Sequence, residues 1–336
     1  MRFDKRWATA LVLLLLSFAP SGQSSPAQHL VYKKKYIMGS VFEIAAYGES
    51  AQQTSNAIEK AFQEIVRIDD LMSNYNPESA LSHLNRSAHF HTEAVPPDLY
   101  RIIERAVEFS RLSDGKFDIT AAPLVNLWKA ALSGDSLPSA ALQQQARACV
   151  GYDKIVFVPP DQIRFDSSCL QVDLGAIGKG YAIDSAAELL RSLQVQSAFL
   201  NAGGSTIVTI GAPPGQAAWL VRLRDPSHKI NPYVMLRDAS VSTSEQTAPS
   251  LLGSQSAGHI IDHATGQPVE TAFAVSVIAP TGTMSDGFST TLLLTGPTKG
   301  KSLVNHAADV SAIWLSPAAE VEMATHGPQI LFSGNS

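Results

Sequence analysis

The sequence predicts a mixed α+β domain, with mixed and antiparallel sheets and helices packed on them. Short β-rich runs recur along the chain, joined by tight, glycine-marked turns. Only four or five segments show helical spacing of apolar residues. The two kinds of segment do not alternate regularly, which argues against a repeating βαβ wheel. The 336 residues are 45% hydrophobic and 16% charged, enough for one large core. A formal charge of −5 leaves no basic footprint for nucleic acid.

Residues 1–27 combine a basic start, an apolar run from Trp7 to Ala19, and small residues Ser25-Pro26-Ala27. That order is an export signal, too short for a comfortable membrane span. No cysteine lies near the cleavage site, so a lipid anchor is not expected. Residues 28–336 are expected to form one unit, with two intimately packed lobes as the alternative. Lys33, Lys34 and Lys35 read as a solvated face.

Val31 to Tyr47 reads as strand, turn, strand, bent at Gly39. Over 52–71 the period changes: Ile58, Ala61, Phe62, Ile65 and Ile68 form a helical stripe. MSNYNPES at 72–79 ends that helix. A second helix is expected from Pro96 to Gly115, and GKFDITAAPLVNLW at 115–128 reads as a turn-rich connection. A short helix is expected within 137–150. KIVFVP then reads as a strand, and RFDSSCLQVDLG as its hairpin partner, running to Leu174. AIDSAAELLRSL is a helix. SAFLNAGG, STIVTIG, AWLVRLRDP and YVMLRDASVST are four strands. FAVSVIAP is a further strand, MSDGFSTTLLLTG a loop entering a short helix, and VSAIWLSP the last strand. The two cysteines, Cys149 and Cys169, are read as buried thiols, with a disulfide as the alternative that export permits.

Four segments bear on chemistry. VDLGAIGKGY at 172–181 has glycines for close approach, a helix start behind them and Lys179 to reach a phosphate. It fits neither the dinucleotide fingerprint nor the P-loop pattern, so plain turn chemistry is the simpler reading of it alone. NAGGS at 201–205 is a second glycine turn. GHIIDHATGQP at 258–268 gathers His259, Asp262 and His263. In MSDGFST at 284–290, Asp286 and Thr290 stand four apart on a helix opening, two hard oxygen donors on one face.

Together these segments resemble the exported FAD:protein FMN transferases, flavin transferases once assigned to thiamine biosynthesis. The resemblance runs from about residue 36 to 325. It is carried in order by MGS at 38–40, MSNYNPES with LNRS beyond it, GKFDITAAPLVNLW, VDLGAIGKGYAID, NAGG at 201–204, STS at 242–244, HIIDHATGQP at 259–268, and the Asp286–Thr290 helix start. After STS the pattern departs from the family, with Glu245 where glycine is usual.

The resemblance implies a flavin transferase-type fold. It implies an enzyme that takes FAD as substrate, uses Mg²⁺, transfers FMN to a Thr or Ser hydroxyl of a target protein and releases AMP. It assigns the metal to Asp286, Thr290 and the backbone of Ala176. It places Met38, Tyr75, Asp118, Asp173, Lys179, Gly203, Gly204, Thr243 and His259 against FAD, with Tyr75 along the isoalloxazine. The base is His259 or Asp262; the choice stays open here. FAD hydrolysis and passive flavin binding are the alternative functions. The expected partner is a protein with a flavin-accepting Thr or Ser motif, such as a subunit of a membrane electron-transport complex. The expected location is the periplasm, with inner-membrane association left open.

Overall fold

The computed structural model describes residues 28–133, 137–245, 260–262, 265–269 and 273–332. Strands β1 (His29–Ile37) and β2 (Ser40–Gly48) form a hairpin. Its two-residue turn has Met38 and Gly39 at φ 51° and 69°, and paired positive angles match the twist of the strands. Helix α1 (Ala51–Met72) is capped by Ser50, whose side chain accepts from Gln53 N–H, and it buries the apolar stripe of 57–68. Next come α2 (Ala80–Ser87), β3 (Glu93–Ala94), α3 (Pro97–Leu112), α4 (Ala122–Ser133) and α5 (Ala140–Cys149). Then follow β4 (Ile155–Val158), β5 (Gln162–Phe165), α6 (Gly178–Ser192), β6 (Ser197–Ala202) and β7 (Thr206–Ile210). Strands β8 (Trp219–Arg222), β9 (Pro232–Leu236), β10 (Ser240–Glu245), β11 (Ile261–Asp262), β12 (Gln267–Pro268) and β13 (Ala274–Ala279) lead to α7 (Gly282–Asn305). The chain continues through β14 (Ser311–Leu315), β15 (Val321–Thr325) and β16 (Ile330–Phe332).

The centre is an eight-stranded sheet of order β1-β2-β6-β7-β10-β13-β14-β15, antiparallel at every pairing. Its helical side holds the main core, where Phe62, Phe109, Leu190, Phe288 and Trp314 are buried. Its other side packs Ile207, Val241, Ile278 and Ile313 against Val221 and Val234 of the small β16-β9-β8 sheet. A third cluster joins Leu124 and Trp128 of α4 to Val150 and Ile261. Among the described residues, no helix is long and apolar enough to cross a membrane.

The α+β class holds, and several element expectations need correction. The 115–128 connection contains α4, because Pro123 sits in a first turn, where a missing N–H costs nothing. YVMLRDASVST is two strands, broken at Asp238 with φ 49°. The α7 segment spans 24 residues, longer than expected, as two helical stretches that meet at a kink at Gly296, just before Pro297. Two strands follow VSAIWLSP. No strand runs to Leu174, since β5 stops at Phe165. Cys169 lies exposed in the turn that follows, which returns to the end of α5. There it forms a disulfide with Cys149, with Cα atoms 5.2 Å apart, so the buried-thiol reading fails. The lysines are only partly a solvated face. Alternation sends Lys33 and Lys35 toward α1, where both bond Glu59 at 2.8 and 2.6 Å, and leaves Lys34 exposed.

Candidate functional site

The site is built where the start of α6 meets the start of α7. Val172, just ahead of α6, has no strand partner. Its N–H instead donates to Asn85 Oδ1 at 2.8 Å, and its carbonyl accepts from Asn85 Nδ2 at 2.9 Å and Asn74 Nδ2 at 3.3 Å. Two amide side chains, from MSNY and LNRS, thus stand in for a sheet ladder. Asp173 accepts from Gly175 N–H at 2.7 Å, and the turn 175–177, with half-buried Ala176, leads into the helix. Ile177 at the cap makes no side-chain bond, so the N–H groups of the first turn are left for other partners.

One of them is Gly180 N–H, which donates to Asp286 Oδ2 at 2.9 Å. A Cβ on Gly180 would lie 2.3 Å from the Gly282 carbonyl oxygen, so this glycine permits two helices to touch through their backbones. Lys179 Nζ donates to Ser205 Oγ at 2.8 Å, beside the turn of Gly203 and Gly204, which have φ 64° and 76°. A Cβ on Gly203 would meet Ser40 Oγ at 2.2 Å, and one on Gly178 would sit 3.7 Å from Met38 Cε. MGS, NAGG and the α6 start therefore converge. Tyr181 donates to Asp98 Oδ1 at 2.7 Å, fixing α6 to α3. Burial and this bond push the tyrosine up to about 12.

Asp286 lies in the second turn of α7 and is only 6% exposed. Its Oδ1 accepts from Ser242 Oγ at 3.2 Å. Burial pushes its carboxyl up, against the opposing pull of Lys179 and of bonds from Gly180, Ser242 and Thr206. Buried Thr290 contacts Ser244 Oγ at 3.1 Å, and Ser244 contacts Ser289 at 2.9 Å. Within STS, alternation therefore brings Ser242 and Ser244 to α7, while Thr243 pairs with Ser276 on the neighbouring strand at 2.7 Å. Ser242, Ser244 and Ser289 were not singled out from sequence; the period-two pattern of β10 was the available signal for the first two.

The donor set fits Mg²⁺. It consists of hard oxygens: Asp286 accepts from Gly180 N–H on Oδ2 and from Ser242 Oγ on Oδ1, and each carboxylate oxygen has a second lone pair that a cation could take. Among the described residues, no three His, Cys, Asp or Glu side chains gather. Here a cation would be held by one carboxylate, hydroxyl and backbone oxygens, and the oxygens of a bound phosphate.

The remaining candidates have other surroundings. Tyr75 is 89% exposed, next to Asn74, which bonds the Val172 carbonyl. Asp118 accepts from Thr120 N–H, Thr120 Oγ1 and Tyr152 N–H at 2.7–3.0 Å, so its carboxylate shapes the turn before α4. Asp262 is ion-paired with Lys116 at 2.7 Å. Its hairpin is pinned by Trp128 Nε1, which donates to the Gly266 carbonyl at 2.7 Å. His259 and His263 lie outside the described residues. Glu245 is paired with Arg224 at 2.8 Å.

A buried carboxylate beside hydroxyls and a lysine, at a helix N-terminus, defines a class of centre suited to a divalent cation and a phosphate. The chain belongs to the ApbE family, whose model matches residues 38–314. It is 29% identical over 309 residues to the FAD:protein FMN transferase of Salmonella typhimurium, covering 88% of this chain and 87% of that one. It is 27% identical over 309 residues to the enzyme of the same name from Treponema pallidum, covering 86% and 85%. The apo form of Pseudomonas stutzeri flavinyl transferase ApbE superposes with a TM-score of 0.77 at 25% identity, over 90% of this chain and 98% of that one. The Vibrio cholerae flavin transferase ApbE gives 0.74 at 22% identity, over 91% and 98%, a likeness of fold.

Proposed function

We propose that this chain is an exported FAD:protein FMN transferase that uses Mg²⁺ to place FMN on a Thr or Ser hydroxyl of an acceptor protein. The observation that carries this reading is the Asp286 centre: a buried carboxylate and Thr290 set against the α6 N-terminus and Lys179. In the reaction the acceptor oxygen bonds to the FMN phosphorus and the bond to the AMP phosphate breaks. The hydroxyl proton passes to a base, and AMP leaves. Asp286, Thr290 and the turn at Ala176 would hold Mg²⁺, which supplies neutralisation of pyrophosphate charge. Lys179 adds a fixed positive charge beside the NAGG turn. Tyr75 supplies a ring on which a flavin stacks. We assign the base to His259, because the Asp262 carboxylate is already engaged by Lys116. Residues 1–27 direct the chain to the periplasm, and residues 28–336 act as one catalytic unit.

The test mixes the mature chain, FAD, MgCl₂ and a protein bearing a candidate Thr or Ser acceptor, read by intact mass. A gain of FMN less water on the acceptor, with AMP released one for one, supports transfer. FMN and AMP released free, with the acceptor unchanged, would replace transfer by hydrolysis. FAD bound and uncleaved would leave a binding protein.

A further inference from the structure

Helices α6 and α7 cross at their N-termini, and the crossing is reciprocal. Gly180 is followed four residues on by Asp184, and Gly282 four residues on by Asp286. Gly180 N–H donates to Asp286 Oδ2 at 2.9 Å, and Gly282 N–H donates to Asp184 Oδ1 at 2.7 Å. Each helix thus carries a carboxylate that receives a first-turn N–H of the other: Asp286 that of Gly180, and Asp184 those of Gly282 and Thr283. The glycines meet at the centre: a Cβ on Gly180 would lie 2.3 Å from the Gly282 oxygen, and one on Gly282 would lie 2.9 Å from the Gly180 oxygen.

The two carboxylates differ in their remaining partners. Asp184 Oδ2 accepts from Thr283 N–H at 2.7 Å and Thr283 Oγ1 at 2.6 Å, so Asp184 is committed to the first turn of α7. Asp286 instead meets Ser242 at a longer 3.2 Å, on the helix that also carries Thr290. One half of the exchange is filled by α7, while the other keeps capacity for a ligand.

We propose that Asp184 is a positioning residue for the metal centre: its three bonds dock the α7 N-terminus on α6, which sets Asp286 against Gly180 N–H and beside Ser242. A carboxylate at a helix N-terminus also opposes the positive end of the α7 dipole. The role rests on the Mg²⁺ reading of Asp286 given above. It differs from simple helix capping in one respect. A cap lost for stability alone leaves the Mg²⁺ affinity of the folded protein unchanged, whereas a lost positioning bond weakens it.

The experiment titrates MgCl₂ by calorimetry into the purified mature chain, alone and saturated with FAD, with no acceptor present. The variants are Asp184→Asn, Thr283→Val and Asp286→Asn, and each fold is checked by circular dichroism. Asp184→Asn keeps the shape and loses an acceptor and the charge. Its Mg²⁺ dissociation constant should rise by about tenfold or more, the usual scale for residues that orient a metal ligand. Its FAD affinity in EDTA should stay at the parent value. Thr283→Val removes one bond of three and should shift Mg²⁺ affinity the same way by a smaller factor, about twofold to threefold. Parental Mg²⁺ affinity in a folded Asp184→Asn, with binding lost in Asp286→Asn, overturns the positioning role and leaves the metal reading standing. No Mg²⁺ binding by the parent, either alone or with FAD bound, overturns both. If Asp184→Asn does not fold, Thr283→Val decides: a parental constant there overturns the proposal.

Discussion

Segments 172–184 and 72–79 both carry family motifs and are bonded to each other through Asn74 and Val172, yet they meet solvent in opposite ways. In the first, Lys179, Gly180, Tyr181 and Asp184 each have a partner on another element: Ser205, Asp286, Asp98 and Gly282. In the second, the backbone is equally well held. Ser73 Oγ accepts from Tyr75 and Asn76 N–H at 3.2 Å, and Ser79 Oγ donates to the Ser73 carbonyl at 2.6 Å. The Tyr75 ring nevertheless projects to 89% exposure. A fixed frame under an exposed ring is an arrangement for presenting a surface. A fixed frame with filled side chains is one for holding geometry. The difference suits the roles proposed above, with the interior segment at the metal centre and Tyr75 against the flavin.

The largest expected effect lies in the interior. Asp286→Ala removes the one buried carboxylate of the centre, and transfer should fall by several kcal/mol of transition-state stabilisation, on the order of 10²–10⁴ in rate. Parent-rate labelling of an acceptor by a folded Asp286→Ala protein would break the comparison outright. Gly180→Ala comes next. Its Cβ would press on backbone atoms of Gly282, which cannot swing aside, and overpacking of this kind costs about 1–3 kcal/mol. Gly178→Ala is the control, because its Cβ would meet only ordinary contacts at 3.7 Å and beyond. Urea unfolding of both variants sharpens the point: similar midpoints would mean that the crossing is not as tight as the backbone contacts require.

Local patterns made much of the fold legible. The apolar stripe of 57–68 marks α1 and Gly39 marks the hairpin, and the i,i+4 pair Asp286 and Thr290 lies in one helix with both residues bonded to serines of β10. What local pattern cannot carry is pairing across the chain. Gly180 and Asp286 are 106 residues apart, and nothing near either says that they meet. The contacts of Ser242 with Asp286 and of Asp184 with Gly282 escape local pattern for the same reason, and the Cys149–Cys169 disulfide, open as an alternative, could not be decided by spacing. Val172 reads as a strand because its neighbours are apolar, and only the fold shows asparagine side chains replacing the ladder. Asp118, which the resemblance places against FAD, also bonds Thr120 and Tyr152, a structural role its motif does not announce.

At Tyr75 the expected effect is smaller and confined to binding. Tyr75→Ala should weaken FAD by about threefold to tenfold, the equivalent of an aromatic contact worth roughly 0.5–1.5 kcal/mol. Tyr75→Phe should leave affinity near the parent value, and neither change should alter Mg²⁺ affinity. Flavin fluorescence titration reads the first quantity and calorimetry the second. An Ala variant that loses Mg²⁺ but keeps FAD would reverse the division between exposed ring and interior.

The smallest effect tests whether an exposed carboxylate behaves unlike the buried one. Glu59 on α1 bonds Lys33 at 2.8 Å and Lys35 at 2.6 Å, and these two lysine bonds hold its carboxyl down at about 2. Burial pushes Asp286 the other way. The signs of linkage therefore differ. A depressed carboxylate contributes stability that is present above its unfolded value of 4.5 and is lost as pH falls toward 2. A raised one contributes stability at low pH that is lost as pH rises through its folded value. Glu59 is 39% exposed, so solvent and salt screen most of its attraction, and the pair of bonds is worth about 0.2–1 kcal/mol. The Glu59→Gln variant should be less stable than the parent by that amount at pH 7. The gap should begin to close below pH 4.5 and be nearly gone at pH 2, and at neutral pH it should shrink in 1 M salt. Urea midpoints of both proteins across that pH range give the measurement. A gap that stays constant from pH 7 to pH 2 would mean that Glu59 acts through packing rather than charge.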